Sequence, residues 1–135
     1  MSDEITINGK DEDKLLEFKG TDNAGGSIFH YKGKPFTGCI EWFDDNNKLD
    51  SEERYIDGHK GGWQREYHPN GQLKSEYYHN FGRIDKYYKN WNESGDLISH
   101  SIWDDGKLIE YLIADDEAKK NLALLDKVKK DFGLD

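Results

Sequence analysis

The stretch Tyr55-Ile56-Asp57-Gly58-His59-Lys60-Gly61-Gly62-Trp63-Gln64-Arg65-Glu66-Tyr67-His68-Pro69-Asn70-Gly71-Gln72-Leu73-Lys74-Ser75-Glu76-Tyr77-Tyr78 reads as one β-hairpin with a turn at its entrance. Asp57-Gly58 is a turn signal, because glycine takes a positive φ without a Cβ clash. Gly62–Tyr67 then reads as a strand, Asn70-Gly71 as a tight reversal, and Gln72–Tyr78 as the return strand. The same grammar recurs on both sides with a period of 24 residues: Leu49, Leu73 and Leu97; Asn47, Gly71 and Gly95; Phe43, Tyr67 and Trp91; Gly58, Gly82 and Gly106. A fixed period in this range marks an array of stacked supersecondary units whose core is shared between neighbours.

Outward from the array, Glu4–Asn8, Leu15–Phe18 and Ser27–Tyr31 read as short strands, so residues 1–30 are expected to cap one end. From Asp115 the apolar spacing turns helical through Ala118, Leu122, Leu125, Val128 and Phe132, with Gly133 placed to end the helix. The expected architecture is therefore mainly β: one domain over 1–135, built on a single antiparallel sheet of tandem hairpins at 31–112. A C-terminal capping α-helix at 113–135 completes it. Strand alternation places the aromatic, leucine and serine columns (Cys39/Trp63/Tyr87 and Phe43/Tyr67/Trp91 of the first strands, Tyr55/His79/Trp103, Leu49/Leu73/Leu97 and Ser51/Ser75/Ser99 of the return strands) together on the inner side, with Leu73 in the core.

Composition points to a surface rather than a deep interior. Of 135 residues, 34% are hydrophobic and 35% charged, at a mean hydropathy of −1.03. Yet 4 Trp, 8 Tyr and 6 Phe argue against disorder, and such rings bury apolar area while their edges stay wet. The net charge of −9 has the wrong sign for displacing phosphate counterions or for settling on an anionic membrane, so neither nucleic acid nor membrane is expected as a partner. A basic protein partner fits, with field complementarity mainly raising the association rate. The acidic start has no apolar leader pattern, and the single Cys39 suits a reducing compartment as a buried, inert thiol. A cytoplasmic protein is expected.

Chemistry-bearing patterns are sparse. The five histidines have no close metal-ligand spacing, Gly25-Gly26-Ser27 lacks the lysine and helix of a phosphate loop, and no Gly-x-Ser-x-Gly elbow occurs. The expectation is no enzyme activity, no metal and no cofactor.

The run Tyr55-Ile56-Asp57-Gly58, Gly62, Glu66-Tyr67-His68-Pro69-Asn70-Gly71 and Leu73 resembles the MORN-repeat variant (membrane occupation and recognition nexus), whose pattern is tyrosine, glycine, glycine, aromatic, Pro-Asn-Gly and leucine. The neighbouring repeats match more loosely, with Asn47 at the turn glycine and Lys86 at the Gly62 position. The resemblance implies an array of hairpins. Small bacterial proteins of this kind are similar to immunity and antitoxin components, which implies a cytosolic protein that binds and neutralises a cognate toxin domain, such as a nuclease or another enzyme with a basic cleft. The competing expectation is a non-catalytic scaffold that binds another protein or itself edge to edge. The expected partner-binding residues are the acids Asp44, Asp45, Asp50, Glu52, Asp57, Glu66 and Glu76, with Trp42, Tyr78 and Tyr88 as anchor rings.

Overall fold

The computed structural model describes residues 4–113. Twelve strands follow one another among the described residues: β1 (Ile5–Asn8), β2 (Leu16–Thr21), β3 (Ser27–Tyr31), β4 (Lys34–Pro35), β5 (Gly38–Phe43), β6 (Leu49–Ile56), β7 (His59–Lys60), β8 (Gly62–Tyr67), β9 (Leu73–Asn80), β10 (Arg83–Trp91), β11 (Leu97–Asp104) and β12 (Lys107–Ile113). A 3₁₀ turn at Gly9–Asp11 and one helical turn, α1 (Glu12–Leu15), link β1 to β2.

Nine strands form one sheet in the order β1-β5-β6-β8-β9-β10-β11-β12, with β7 beside β6. The expected hairpins are its antiparallel pairs β5–β6, β8–β9 and β10–β11. Two expectations are corrected. The sheet is mixed, because β1 lies parallel to β5 (Ile5 opposite Gly38, Ile7 opposite Ile40). It is also not single, because β2, β3 and β4 make a separate three-stranded sheet. A parallel neighbour needs a long crossover, and the second sheet lies within that connection between β1 and β5. The capping helix expected at 113–135 falls almost wholly outside the described residues; Ile113 itself ends β12.

Each hairpin closes with the same five-residue loop. In Asp44–Lys48, His68–Gln72 and Asn92–Asp96 the first amide donates to the last carbonyl at 2.8, 2.8 and 2.9 Å. The fourth amide donates back to the first carbonyl at 2.9, 2.9 and 3.0 Å. The fourth residue takes φ of 60° (Asn47), 89° (Gly71) and 90° (Gly95). That is a type I turn followed by a left-handed residue, the usual three-to-five-residue hairpin closure with a bulge. It explains why glycine, or asparagine as the best-tolerated substitute, stands there.

The bulge overturns the expected face assignment. Pairing runs Trp42 to Ser51 and then Phe43 to Leu49, Glu66 to Ser75 and then Tyr67 to Leu73, Asn90 to Ser99 and then Trp91 to Leu97. Residues 50, 74 and 98 are thus extra, and one extra residue moves all that follows to the opposite face. The serine column and Tyr55 share their face with Ile40 and Trp42, whereas the leucine column faces the other way with Phe43 and Tyr67. Among the described residues, the core lies on the first face. Ile7, Leu16, Phe29, Phe36, Ile40 and Tyr55 form it, so the second sheet covers the beginning of the array. Gly9 lies directly against the Trp42 ring, where any Cβ would come within 2.3 Å of it. Leu73 is only half-buried and stands outside this core.

Between β6 and β8 the backbone ladder lasts only two pairs, Ser51–Glu66 and Glu52–Arg65. The Gln64 side chain, 1% exposed, continues it: its Oε1 accepts from the Arg54 amide and its Nε2 donates to the Arg54 carbonyl, both at 2.9 Å. A carboxamide has the donor and acceptor of a peptide group, so it joins the two repeats where their backbones diverge.

Candidate protein-binding rims

The face opposite the core is a ladder of rings and charges. Trp63 is held between the guanidinium groups of Arg54 and Arg65, 4.0 and 3.8 Å from its ring centre. Arg65 Nε donates to Glu76 Oε2 at 2.7 Å, and the Tyr87 hydroxyl donates to Glu76 Oε1 at 2.8 Å. Glu52 accepts from the Tyr67 hydroxyl, and Glu4 pairs with Arg54. Burial, then the adjacent carboxylates, pushes the Tyr67 and Tyr87 phenols up to about 12, so both remain donors. Lys86 lies 4.2 Å over Tyr78, and Lys89 5.1 Å over Tyr87. Charges on this face are largely engaged with one another.

On the core face beyond the second sheet, Tyr77 stacks on Tyr88 at 4.8 Å and 8°, and His79 leans on Tyr77 at 5.1 Å. Burial, with Lys60 nearby, lowers the His79 imidazole to about 4, and its Nδ1 has no hydrogen-bond partner among the described residues. Cys39 is buried as expected, and burial with Glu52 raises its thiol to about 11.

The ten residues expected to bind a partner do not converge. Glu52, Glu76 and Tyr78 lie on the ladder face, the two glutamates already engaged. Trp42, Glu66 and Tyr88 lie on the core face, Trp42 against Gly9 and Tyr88 against Tyr77. Asp44 and Asp45 are in a five-residue loop with Asp50 at the adjoining bulge, while Asp57 is at the opposite end of the strands.

The strand ends form two rims. Along the first, the five-residue loops are stitched side by side: Lys48 Nζ donates to the Pro69 carbonyl at 3.4 Å, His68 Nε2 to that of Trp91 at 2.8 Å, and Asn70 Nδ2 to that of Glu93 at 2.8 Å. Asp45, Glu93 and Asp96 are exposed here, and none forms an ion pair among the described residues. Along the second, two-residue turns Asp57-Gly58, Phe81-Gly82 and Asp105-Gly106 have positive φ at both positions, the type I′ geometry. Their glycine amides donate to the Phe36, Lys60 and Ile84 carbonyls at 2.8, 3.0 and 2.7 Å, which holds successive tips together.

The middle of this second rim departs from the repeat. The outer tips are locked from below, Asp57 N–H by Thr37 Oγ1 at 2.9 Å and Asp105 N–H by Asp85 Oδ1 at 3.0 Å. In the middle repeat Gly61 occupies the locking position and Phe81 the tip. Ile56 stands where the next two repeats have Asn80 and Asp104. Ile56 and Phe81 are 47% and 63% exposed, and with Gly61, Gly62, Tyr78 and His79 they line a cleft of about 60 Å³. A second slot of about 450 Å³ lies on the other side of Ile56, lined by Thr37, Arg54, Tyr55 and Trp63 among others. Neither Ile56 nor Phe81 was among the residues expected from sequence. Comparing the columns 56/80/104 and 57/81/105 across repeats would have revealed both.

The MORN repeat variant family matches residues 36–57 and 61–80, the β5–β6 and β8–β9 hairpins. The β10–β11 hairpin extends the array beyond the matched residues with the same loop. No curated protein and no solved structure matches the chain. No helix among the described residues is long and apolar enough to cross a membrane.

Proposed function

We propose that this protein is a non-catalytic binding module, an immunity or antitoxin protein that occludes a cognate toxin domain with a basic cleft, such as a nuclease. The observation that carries this reading is the partition of charge. The ladder-face acids Glu4, Glu52 and Glu76 are engaged by arginine or tyrosine partners, whereas acids at the strand ends, such as Asp45, Asp57, Glu93 and Asp96, make no ion pair among the described residues. With a net charge of −9, that places the unengaged negative field on rigid turns, where it accelerates encounter with a basic surface. The MORN-type hairpins support a surface-presenting role, and the resemblance to immunity proteins supports the toxin as the partner.

The test is a pull-down from the cell that encodes the protein, followed by rate measurements with the recombinant partner. Neutralising Asp45, Asp57, Glu93 and Asp96 together, so that both rims lose charge, is expected to slow association about tenfold at low salt while leaving the melting temperature unchanged, since exposed charges contribute little to stability. A partner that is acidic, or an association rate indifferent to salt, removes this reading. A self-associating scaffold is the second reading, favoured by β12, which pairs only with β11 among the described residues and exposes Ile109, Leu112 and Ile113. Sedimentation of the pure protein as a dimer would select it.

A further inference from the structure

The geometry points to the second rim as the interaction surface. Phe81 and Ile56 are its anchor, taken by an apolar pocket of a basic protein partner whose lysines or arginines meet Asp57 and Asp105 on either side. This rests on the proposed function for the sign of the partner and adds the location of contact.

Three departures from the repeat converge at one place, and each removes something the fold uses elsewhere. Phe81 has φ 48°, in the left-handed region where a bulky side chain is strained. The equivalent tips are Asp57 and Asp105, which tolerate it better. Gly61 deletes the side chain that locks the other tips. That deletion makes room for Ile56, because a Cβ at residue 61 would stand only 3.1 Å from its side chain. Ile56 and Gly61 are therefore a matched pair, and together they leave the cleft beside Phe81 open. A fold-only account would restore the polar lock. An exposed aromatic kept at a strained tip, beside a second exposed apolar residue, is instead the signature of a binding anchor.

Charge supplies the chemistry of the occupant. The three outermost residues of the row are Asp57, Phe81 and Asp105, all exposed. Of the bases near the tips, Lys60 is paired with Glu53 at 3.1 Å, and Arg83 lies 3.6 Å from Asp105 in a surface pair that leaves the Asp105 side chain 67% exposed to a second cation; Lys107, beside that tip, is exposed and forms no ion pair among the described residues. An apolar centre between two carboxylates matches a hot spot with a charged border. A second copy of this chain would bring like charges together in the same row.

The experiment places p-benzoyl-phenylalanine at position 81 or, on the other rim, at position 93 of the full chain in the cell that encodes it. Captured proteins are identified by mass spectrometry and remade for kinetics. The expected result is capture of one basic protein from position 81. Its complex should dissociate at least about 30-fold faster with Phe81→Asn and with Ile56→Asn. Both substitutions copy residue types suited to these turns, so the melting temperature should hold or rise. Phe81→Asp, which adds negative charge, should also lose binding, separating the apolar anchor from electrostatic attraction. Capture from 93 alone, capture of a second copy, or dissociation within threefold of the parent for both Asn variants overturns the inference. In the first of these outcomes a basic partner remains and the proposed function survives. Capture of no basic protein from either position ends both.

Discussion

The two rims use the same repeat to different ends. On the five-residue-loop rim the sequence keeps its rule: a left-handed residue at 47, 71 and 95, and side chains that bond the next loop's backbone. On the type I′ rim the backbone keeps its rule while the side chains break it, with Phe81 and Gly61 of the middle repeat and Ile56 of the first replacing polar groups. Because every repeat solves the same packing problem, a position that solves it differently exposes a second demand. Regularity marks structure, and a local breach of it marks where to look for recognition.

The rims should respond differently to the same insult, and this is the largest effect expected. Gly82→Val is expected to cost about 3 kcal/mol, combining a φ of 81° with a Cβ that would come 2.7 Å from Asp22 Oδ2. That carboxylate cannot readily retreat, because it accepts from the Ala24 and Gly26 amides and pairs with His59 at 3.1 Å. Gly71→Val shares the backbone strain, with φ 89°, but its Cβ would meet none of the described residues within 4 Å, so about 1–2 kcal/mol is expected. Urea titration of both variants gives the comparison, and equal losses would show that strain alone governs both rims.

Two histidines sharpen it next. His79, near the second rim, is held neutral by burial and Lys60, with a pKa near 4 against about 6.5 unfolded. The unfolded chain therefore binds the extra proton first. Stability is fully present above pH ~6.5 and falls as the pH drops toward 4, by at most about 1.4 kcal/mol per unit and less after solvent screening. His79→Phe, which copies its aromatic column mates Tyr55 and Trp103, should flatten that slope and remove the orphaned Nδ1. A denaturation series from pH 4 to 7 that is equally steep in the variant would refute the assignment. His68, on the first rim, instead spends its ring on the Trp91 carbonyl; His68→Ala should cost about 1 kcal/mol by urea titration.

Much of the array was legible because turns carry strong local signals. Gly71 and Gly95 with Asn47 gave the loops, Gly58, Gly82 and Gly106 gave the tips, and β1 and β3 fall close to where alternation put them. What was illegible depended on single residues or distant ones. The bulge at residues 50, 74 and 98 shifts phase by one, which leaves the hydrophobic count unchanged while exchanging the faces; the leucine column was misplaced for that reason. The parallel pairing of β1 with β5 spans more than thirty residues, beyond the reach of local pattern. Gln64 looked like any polar strand residue, since its role depends on where two repeats diverge. The acids were chosen by sign and alternation, and neither reveals that Glu76 is already claimed by Arg65 and Tyr87.

The smallest expected effect bears most directly on the contrast. Phe81→Asn should raise stability by about 0.5–1 kcal/mol, because asparagine accepts φ near 48° at lower cost than phenylalanine. The Phe81 ring is 63% exposed and its one aromatic contact among the described residues is an edge-on approach to His59 at 5.2 Å, so little packing is lost in exchange. The matching change on the other rim, Asn47→Phe, puts an aromatic ring into the left-handed slot with φ 60° and should lower stability by about 1 kcal/mol or more. Thermal melts at matched pH read both. If Phe81→Asn destabilises by more than about 1 kcal/mol, the ring is part of the packing after all, the middle tip obeys the same rule as its neighbours, and the distinction between the rims collapses.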